Sequence, residues 1–411
     1  MISVEQALEG VLEAVVPAQP EQLSLENAQG RVLAGDVVAG LNLPPWNNSA
    51  MDGFAVVAAD TAPSPVRLPV SQHIMAGDAP QGPLKRGSCA RIMTGAPMPE
   101  GADAVVMFEN TDMGEDEVLI RQSVVSGRNV RVRGSDVAQG SVVLRAGRTL
   151  GPAELGLLSA LGMAHVEVVR RPRIAILSTG DEVVAAGLPL GPGQIHSSNT
   201  HALMALCREA GAEGVDYGNI ADDPRLLQEA LGRCAAEDMV VTTGGVSVGD
   251  HDFVKEAFDA HEATLCFWKV RVKPGKPLAF GYIGGKPAFG LPGNPVSCMV
   301  GFLQFVRPVI RKSLGDPAPY LPVIQARLGA AVSKKPGRAL FARVTLGLEE
   351  GEVCANPVTN DSSGSTMSMV EADGLALLGE ENAGLQEGER VDVQVLRWGW
   401  QCRLVGDYPW S

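Results

Sequence analysis

The stretch "RIAILSTG" (173–180) is a continuous apolar run that closes on serine, threonine and glycine. That is how a strand buried on both faces reads. The chain beyond it keeps one rhythm. "SNTHALMALCREAGA" (198–212) has a polar start, helical spacing and Gly211 near its end. "VDYGNI" (215–220) returns to a strand. "DDPRLLQEALGRCAAE" (222–237) opens with an acidic cap and sets Pro224 at the first helical position. "DMVVTTGG" (238–245) is the next strand. The alternation predicts a doubly wound α/β domain with a parallel sheet. Ligands of such sheets lie beyond the carboxyl ends of the strands. "STGDE", "ADDP" and "GGVSVGD" all fall at such ends.

Working outward, Ser3 and Gln6 form a capping box ahead of Ala7, Leu8, Val11, Leu12 and Val15, and Pro17 ends that helix. Residues 40–138 change to short β-like runs, "ARIM", "AVVMFE" and "EVLIRQ", separated by glycine and proline turns. "GPAELGLLSALGM" (151–163) is helical again, with Pro152 at its start. The expected arrangement is one domain from 1–39 and 139–170, with a β-rich domain (40–138) inserted in it. The doubly wound domain takes 171–318. In it, "GLPGNPVSCMVGFLQFVRPVIRK" (290–312) offers Asn294 as a helix cap. From 319 to 411 the pattern is β-like and predicts a small barrel or sandwich.

Composition narrows the function. A net charge of −13 argues against nonspecific binding to nucleic acid or an anionic membrane, but not against a small anion held by local cations. No stretch reaches the roughly 18 apolar residues of a membrane span, and the N-terminus lacks the layout of a signal peptide. Seven scattered cysteines with no C-x-x-C read as reduced thiols of a cytoplasmic protein. The six histidines show no metal-binding spacing.

Several stretches carry possible chemistry. After "VVTT", Gly244 and Gly245 lead into Ser247, Asp250 and Asp252. Glycines let a phosphate approach the backbone, and carboxylates there suit Mg²⁺; an ordinary strand-to-helix loop is the plainer reading. In "WKVRVKPGKP" (268–277), an extended strand would put Lys269, Arg271 and Lys273 on one face, with Lys276 just beyond the turn. That makes an oxyanion cradle, or a lysine-protected edge strand. Ser297 falls in the first turn of a helix, among amides that can bind an oxyanion or simply be capped. Asp52 and Asp136 read as turn or loop acids. Glu182 follows a strand, Asp222 precedes a helix, and Thr94 either donates to phosphate or shapes its turn. No nucleophile elbow or Ser–His–Asp order supports covalent catalysis.

Seven motifs then occur in order: "PPWNNSAMDGFAV", "RIMTGAPMPEGADAVV", "VRVRGSDV", "LSTGDEVV", "TTGGVSVGDHDFVK", "WKVRVKPGKP" and "GLPGNPVS". Together with the tail "SSGSTMSMVEADGLALL", they resemble the MoeA family of molybdopterin molybdenumtransferases, whose relatives include the gephyrin E domain. The resemblance implies a four-domain homodimer. Its doubly wound domain would be like MoaB and Mog, accompanied by the inserted β-rich domain, the elongated linker and a C-terminal barrel. The cleft would lie between the α/β domain of one subunit and the β-rich domain of its mate. It implies a Mg²⁺-dependent reaction in which adenylylated molybdopterin and molybdate give molybdenum cofactor and AMP. Partners would be small molecules, with a molybdopterin adenylyltransferase and molybdoenzymes as protein partners, and neither nucleic acid nor membrane.

By motif, the resemblance assigns catalysis to Asp52, Thr94, Glu182, Asp222, Asp252, Lys273 and Lys276, with Glu182, Asp222 and Asp252 as metal ligands. The sequence does not divide these acids between metal ligand and general base. Ligand binding falls to Gly244, Gly245, Ser247, Asp250, Asp136, Lys269, Pro292, Ser297, Arg343 and Ser363. Ser297, Arg343 and Ser363 match the family's molybdate-holding positions. Asn47 stands where the family pattern has aspartate. Two other readings compete: a non-catalytic pterin- or receptor-binding scaffold, and a molybdopterin adenylyltransferase. The intact acid and lysine set disfavours the first, and the extra domains disfavour the second.

Overall fold

The computed structural model describes residues 1–245 and 264–398. The first helix, α1 (Val4–Glu13), starts as its sequence directs. The Gln6 amide donates to Ser3 Oγ at 3.1 Å, and the Ser3 amide donates to Gln6 Oε1 at 3.0 Å. It belongs to a compact unit made of Met1–Glu21, Gly30–Val32 and the chain from Val168 onward. A second unit comprises Gln22–Gln29 and Leu33–Glu167.

The second unit is built on β1 (Gly53–Val56), β2 (Val66–Ile74), β3 (Cys89–Ile92), β4 (Ala104–Met107) and β5 (Glu117–Ile120), in sheet order β4-β1-β3-β2-β5. Only β2 and β3 run parallel. Strand β1 is buried on both faces. Phe54 and Val56 join a core with Leu68, Val106 and Ile120, while Ala55 joins another with Ile74, Ile92 and Val105. Gly53, which follows Asp52, has no alternative: a Cβ there would lie 2.0 Å from the Val106 carbonyl oxygen. Helix α2 (Pro152–Ala160) also lies in this unit.

The larger unit holds a six-stranded sheet. Its strands are β6 (Arg173–Thr179), β7 (Glu213–Ile220), β8 (Met239–Thr243), β9 (Thr264–Trp268), β11 (Ala279–Ile283) and β12 (Lys286–Leu291), in order β7-β6-β8-β12-β11-β9. The short β10 (Val272–Lys273) intervenes in the chain but pairs elsewhere. The first four strands of that order are parallel, as the sequence predicts; β11 and β9 then add antiparallel. Helix α3 (Asn199–Ala210) packs on β6 and β7, and α4 (Pro224–Cys234) lays Leu227, Ala230 and Leu231 on Ala175, Leu177 and Val240. Ligand space is therefore left at the strand ends.

A chain segment through α5 (Pro295–Gly301) and α6 (Arg307–Ser313) leads to the barrel. Its strands are β13 (Val323–Leu328), β14 (Ala339–Glu349), β15 (Glu352–Pro357), β16 (Gly374–Leu378) and β17 (Arg390–Val395). The ring β14-β15-β13-β17-β16 closes by pairing of β16 with β14 around Leu328, Val344, Ala355 and Val393. Strand β10 adds to it, Val272 opposite Ala339 and Lys273 opposite Leu340. None of the helices described is long and apolar enough to cross a membrane.

At the amino ends of β6 and β8, Asp238 accepts from Arg170 Nη2 (2.9 Å) and the Arg173 amide (2.8 Å). Burial opposes ionisation of Asp238, but these hydrogen bonds outweigh it and hold its pKa low. The stability it contributes is present above the ordinary carboxylate pKa and lost as pH falls through the lowered one. Asp238→Ala is expected to cost about 1–2 kcal/mol near neutral pH, less for solvent screening, with a smaller difference in acid. Denaturant titrations at the two pH values check this; equal midpoints for wild type and variant at neutral pH would refute it.

Candidate functional site

The carboxyl ends of the parallel strands frame a cavity of about 510 Å³. Thr179, Gly180 and Glu182 line it after β6, Asp222 after β7, Gly244 and Gly245 after β8, and Pro292 after β12. Gly244 takes φ +91°, and a Cβ there would lie 2.5 Å from the Thr179 carbonyl oxygen, so only glycine fits the turn. Asn199, at the start of α3, ties two of these ends together by donating to Thr243 Oγ1 (2.8 Å) and the Gly293 carbonyl (2.8 Å). Thr179 Oγ1 and Asn199 Oδ1 are buried there without a partner among the described residues, which is costly in a finished core.

The "DDP" pair divides its labour. Asp223 is the cap of α4, accepting from the amides of Arg225 (2.8 Å) and Leu226 (3.1 Å). Asp222 is thereby left to the cavity. Its amide donates to Asp181 Oδ1 at 3.2 Å. Partial burial, then Asp181 and Glu182, push its pKa up. Among the described residues, none of these three acids has an ion-pair partner.

A second cavity of about 680 Å³ adjoins the first, and Pro277 and Asn294 line both. Lys273, Lys276, Ser297, Arg343 and Ser363 surround it, with Asp361 as its one acid among the described residues. Lys273 Nζ stands 3.7 Å from Asp361. Arg343 is only 5% exposed. It donates from Nη1 to the Ser362 carbonyl (3.0 Å) and Ser368 Oγ (2.7 Å), while Nε has no partner.

Three expectations need correction. The extended strand proposed for 268–273 breaks at Lys269, which has φ +108°, and β9 stops at Trp268. Lys269 lines neither cavity, and Arg271 is held by Glu380 at 2.5 Å, so only Lys273 and Lys276 of that cation set converge. Asn294 makes no capping bond; its Nδ2 reaches Ser363 Oγ at 3.2 Å. The Val296 amide in the first turn of α5 is not free either, since it donates to the Ser363 carbonyl at 3.1 Å.

In the other unit, Asp52 Oδ1 accepts from the Thr94 amide (2.7 Å) and Thr94 Oγ1 (2.8 Å), and these bonds lower its pKa. Asn47 Oδ1 accepts from the Arg133 amide at 2.8 Å, an acceptor role that needs no charge. Asp136 is exposed on a turn, its amide donating to the Leu43 carbonyl at 3.0 Å. Ser247, Asp250 and Asp252 lie outside the described residues.

Comparisons with known proteins bear on this arrangement. Residues 2–162 match the MoeA N-terminal region (domains I and II), 175–312 the probable molybdopterin-binding domain, and 325–396 the MoeA C-terminal region (domain IV). Molybdopterin molybdenumtransferase 2 of Mycobacterium tuberculosis is 40% identical, over 96% of this chain and 99% of its own. The chain belongs to the MoeA family. The MoeA-family enzyme of Haemophilus influenzae named molybdopterin molybdenumtransferase is 35% identical over 96% of this chain and 98% of its own. The solved molybdopterin biosynthesis MoeA protein from Pyrococcus horikosii superposes with a TM-score of 0.83 at 34% identity, covering 97% of this chain and 99% of that one.

The donor set of this MoeA-family chain fits a hard divalent ion. Glu182 and Asp222 face one cavity, and with Asp181 nearby their charge has no ion-pair partner among the described residues. Among the described residues no three carboxylate, histidine or cysteine side chains converge. Mg²⁺ binds through one or two carboxylates and completes its shell with water and substrate phosphate, so Glu182 and Asp222 are donors of the right type for it. Sequence reasoning missed Thr179, Asn199 and Asp361. Asn199 had a signal, a polar residue opening a helix at a sheet's ligand end; Asp361 had none.

Proposed function

We propose that this chain transfers molybdenum from molybdate to adenylylated molybdopterin, releasing AMP, in the biosynthesis of molybdenum cofactor. The observation that carries the reading is the adjacency of two unlike cavities, one bearing Glu182 and Asp222 and the other Lys273, Lys276 and Arg343, with Pro277 and Asn294 common to both. A substrate with a nucleotide phosphate link at one end, reacting with a tetrahedral dianion, needs that division of charge.

In this reading Glu182 and Asp222, with Asp252 assigned by its motif, would hold Mg²⁺, which when bound would supply positive charge to the phosphate link. Gly244 and Gly245 allow that phosphate close to the backbone. The buried Thr179 hydroxyl and Asn199 carbonyl suit a polar heterocycle with N–H donors. Lys273 and Lys276 stabilise negative charge that develops on oxygen. Arg343, Ser297 and Ser363 seat molybdate, whose oxygens accept from cations and hydroxyls. We assign Asp52 and Thr94 to the same reaction from their motifs, with Asp52 kept ionised by Thr94. Homodimeric assembly and encounters with a molybdopterin adenylyltransferase and with molybdoenzymes belong to the proposal; a monomeric mass by light scattering would remove the first.

Purified protein given adenylylated molybdopterin, molybdate and Mg²⁺ should release AMP in step with cofactor formation, and chelation of the ion should stop both. Tight binding without turnover would instead favour the scaffold reading. Formation of the adenylylated compound from molybdopterin and ATP would favour the adenylyltransferase reading.

A further inference from the structure

A third cavity, about 470 Å³, opens beside the basic one and has Lys273, Ser333, Arg338 and Leu340 in common with it. Lys334 and Lys335 complete its wall. Both cations of interest, Lys335 and Arg338, project from the exposed turn "SKKPGR" (333–338). That turn is pinned from several sides. Lys334 Nζ donates to the carbonyls of Arg338 (2.9 Å) and Glu380 (3.1 Å), the Gly337 amide to the Glu380 carbonyl (2.8 Å), and the Lys334 amide to the Ala383 carbonyl (3.1 Å). At its far end the Ala339 amide donates to the Arg271 carbonyl at 2.9 Å.

The turn's two outward cations differ from several basic side chains close by, which are paired. On and beside the same barrel, Arg271 pairs with Glu380, Arg327 with Glu349 and Arg390 with Glu352. Among the described residues, neither Lys335 nor Arg338 has an ion-pair partner. Here a run of cations leads from Lys335 and Arg338, past Lys273, which stands 3.7 Å from Asp361, to Lys276 and Arg343. A concave wall on which cations outnumber acids focuses the field and raises encounter rates with small anions.

We propose that the turn carrying Lys335 and Arg338 is a loading vestibule that captures a tetrahedral oxyanion from solution and hands it, by way of Lys273, to the seat at Arg343. Capture here involves no bond making or breaking. Its ligand is the dianion itself, and the pterin substrate takes no part. The inference rests on the neighbouring cavity being the molybdate seat, and the experiment separates the two claims.

The test is the double charge reversal Lys335→Glu with Arg338→Glu, and the milder Arg338→Gln, in the full-length protein. Lys334 is left alone because its ammonium pins the turn. Two quantities are read at low and at high salt: the molybdate concentration giving half-maximal AMP release, and molybdate binding by titration calorimetry. At low salt the double variant should need about tenfold more molybdate, Arg338→Gln about threefold, and the difference from wild type should close at high salt. A loss that persists at high salt would mean a damaged turn and would overturn the vestibule. Arg343→Ala serves as the control, with binding lost at every salt concentration. If Arg343→Ala abolishes binding while the double reversal leaves it unmoved at low salt, the vestibule fails and the seat stands. If Arg343→Ala leaves binding intact, the seat itself is wrong and the vestibule falls with it.

Discussion

Replacing Arg343 by alanine is expected to slow molybdate-dependent AMP release by about a hundredfold or more. The side chain is 5% exposed, and Asp361 is the acid that acts on it electrostatically. Burial pulls its pKa down, yet a guanidinium stays charged at any physiological pH. Its field is therefore poorly screened and directed at whatever occupies the basic cavity. Two of its donor bonds, to Ser362 and Ser368, hold the fork in place and hold the 362–368 segment to the barrel. Some loss of order around Ser363 is expected in the alanine variant, so Arg343→Lys is the informative companion. It keeps the charge but not the planar fork, and should recover part of the rate. Initial rates with saturating pterin substrate, beside thermal midpoints, decide the matter. An alanine variant with wild-type rates would remove Arg343 from the reaction.

Asp222→Asn should lose activity and gain stability. The folded pKa of Asp222 is raised by burial and by Asp181 and Glu182. For such an acid, the favourable contribution is present in full below the ordinary carboxylate pKa and is lost as pH rises through the raised value. Near neutral pH the charged form is a net burden, and asparagine removes it while keeping the shape. Because the group is largely exposed, the gain should be a few tenths of a kcal/mol, or about 1–2 °C in Tm, fading below about pH 4. The rate should fall by about a hundredfold or more if this carboxylate holds the metal as proposed. Adding Mg²⁺ should raise the wild-type midpoint and narrow its gap to the variant. A variant that is both active and no more stable would contradict the assignment.

Much of the α/β sheet was legible because its signals are local. Buried strands of the "RIAILSTG" type, Pro224 at a first helical turn and glycine at a strand end each act within a few residues. Closure of the barrel could be foreseen only as one of two options, because pairing of β14 with β16 is settled by packing between distant segments. Side-chain partnerships were harder still. Thr94 meets Asp52 across 42 positions and Arg271 meets Glu380 across 109, and neither pairing leaves a trace in the spacing of either partner. The reading of "WKVRVK" failed at one residue: a positive φ at Lys269 ends the alternation on which the shared face depended. Asn294 misled for a different reason. Its type and position are those of a cap, but Ser363, 69 positions onward, offers its amide another partner.

Strand β10 ties the two halves of the basic cavity into one piece of architecture. Lys273 leaves the α/β sheet and pairs in parallel with the start of β14, a few residues before Arg343. A chain cut ahead of the barrel would keep Lys273 and Lys276 but lose Arg343 and Ser363, one wall of the basic cavity. Recombination that swapped barrels between relatives would have to preserve this two-residue splice, so both walls of the cavity pass on as a single heritable block.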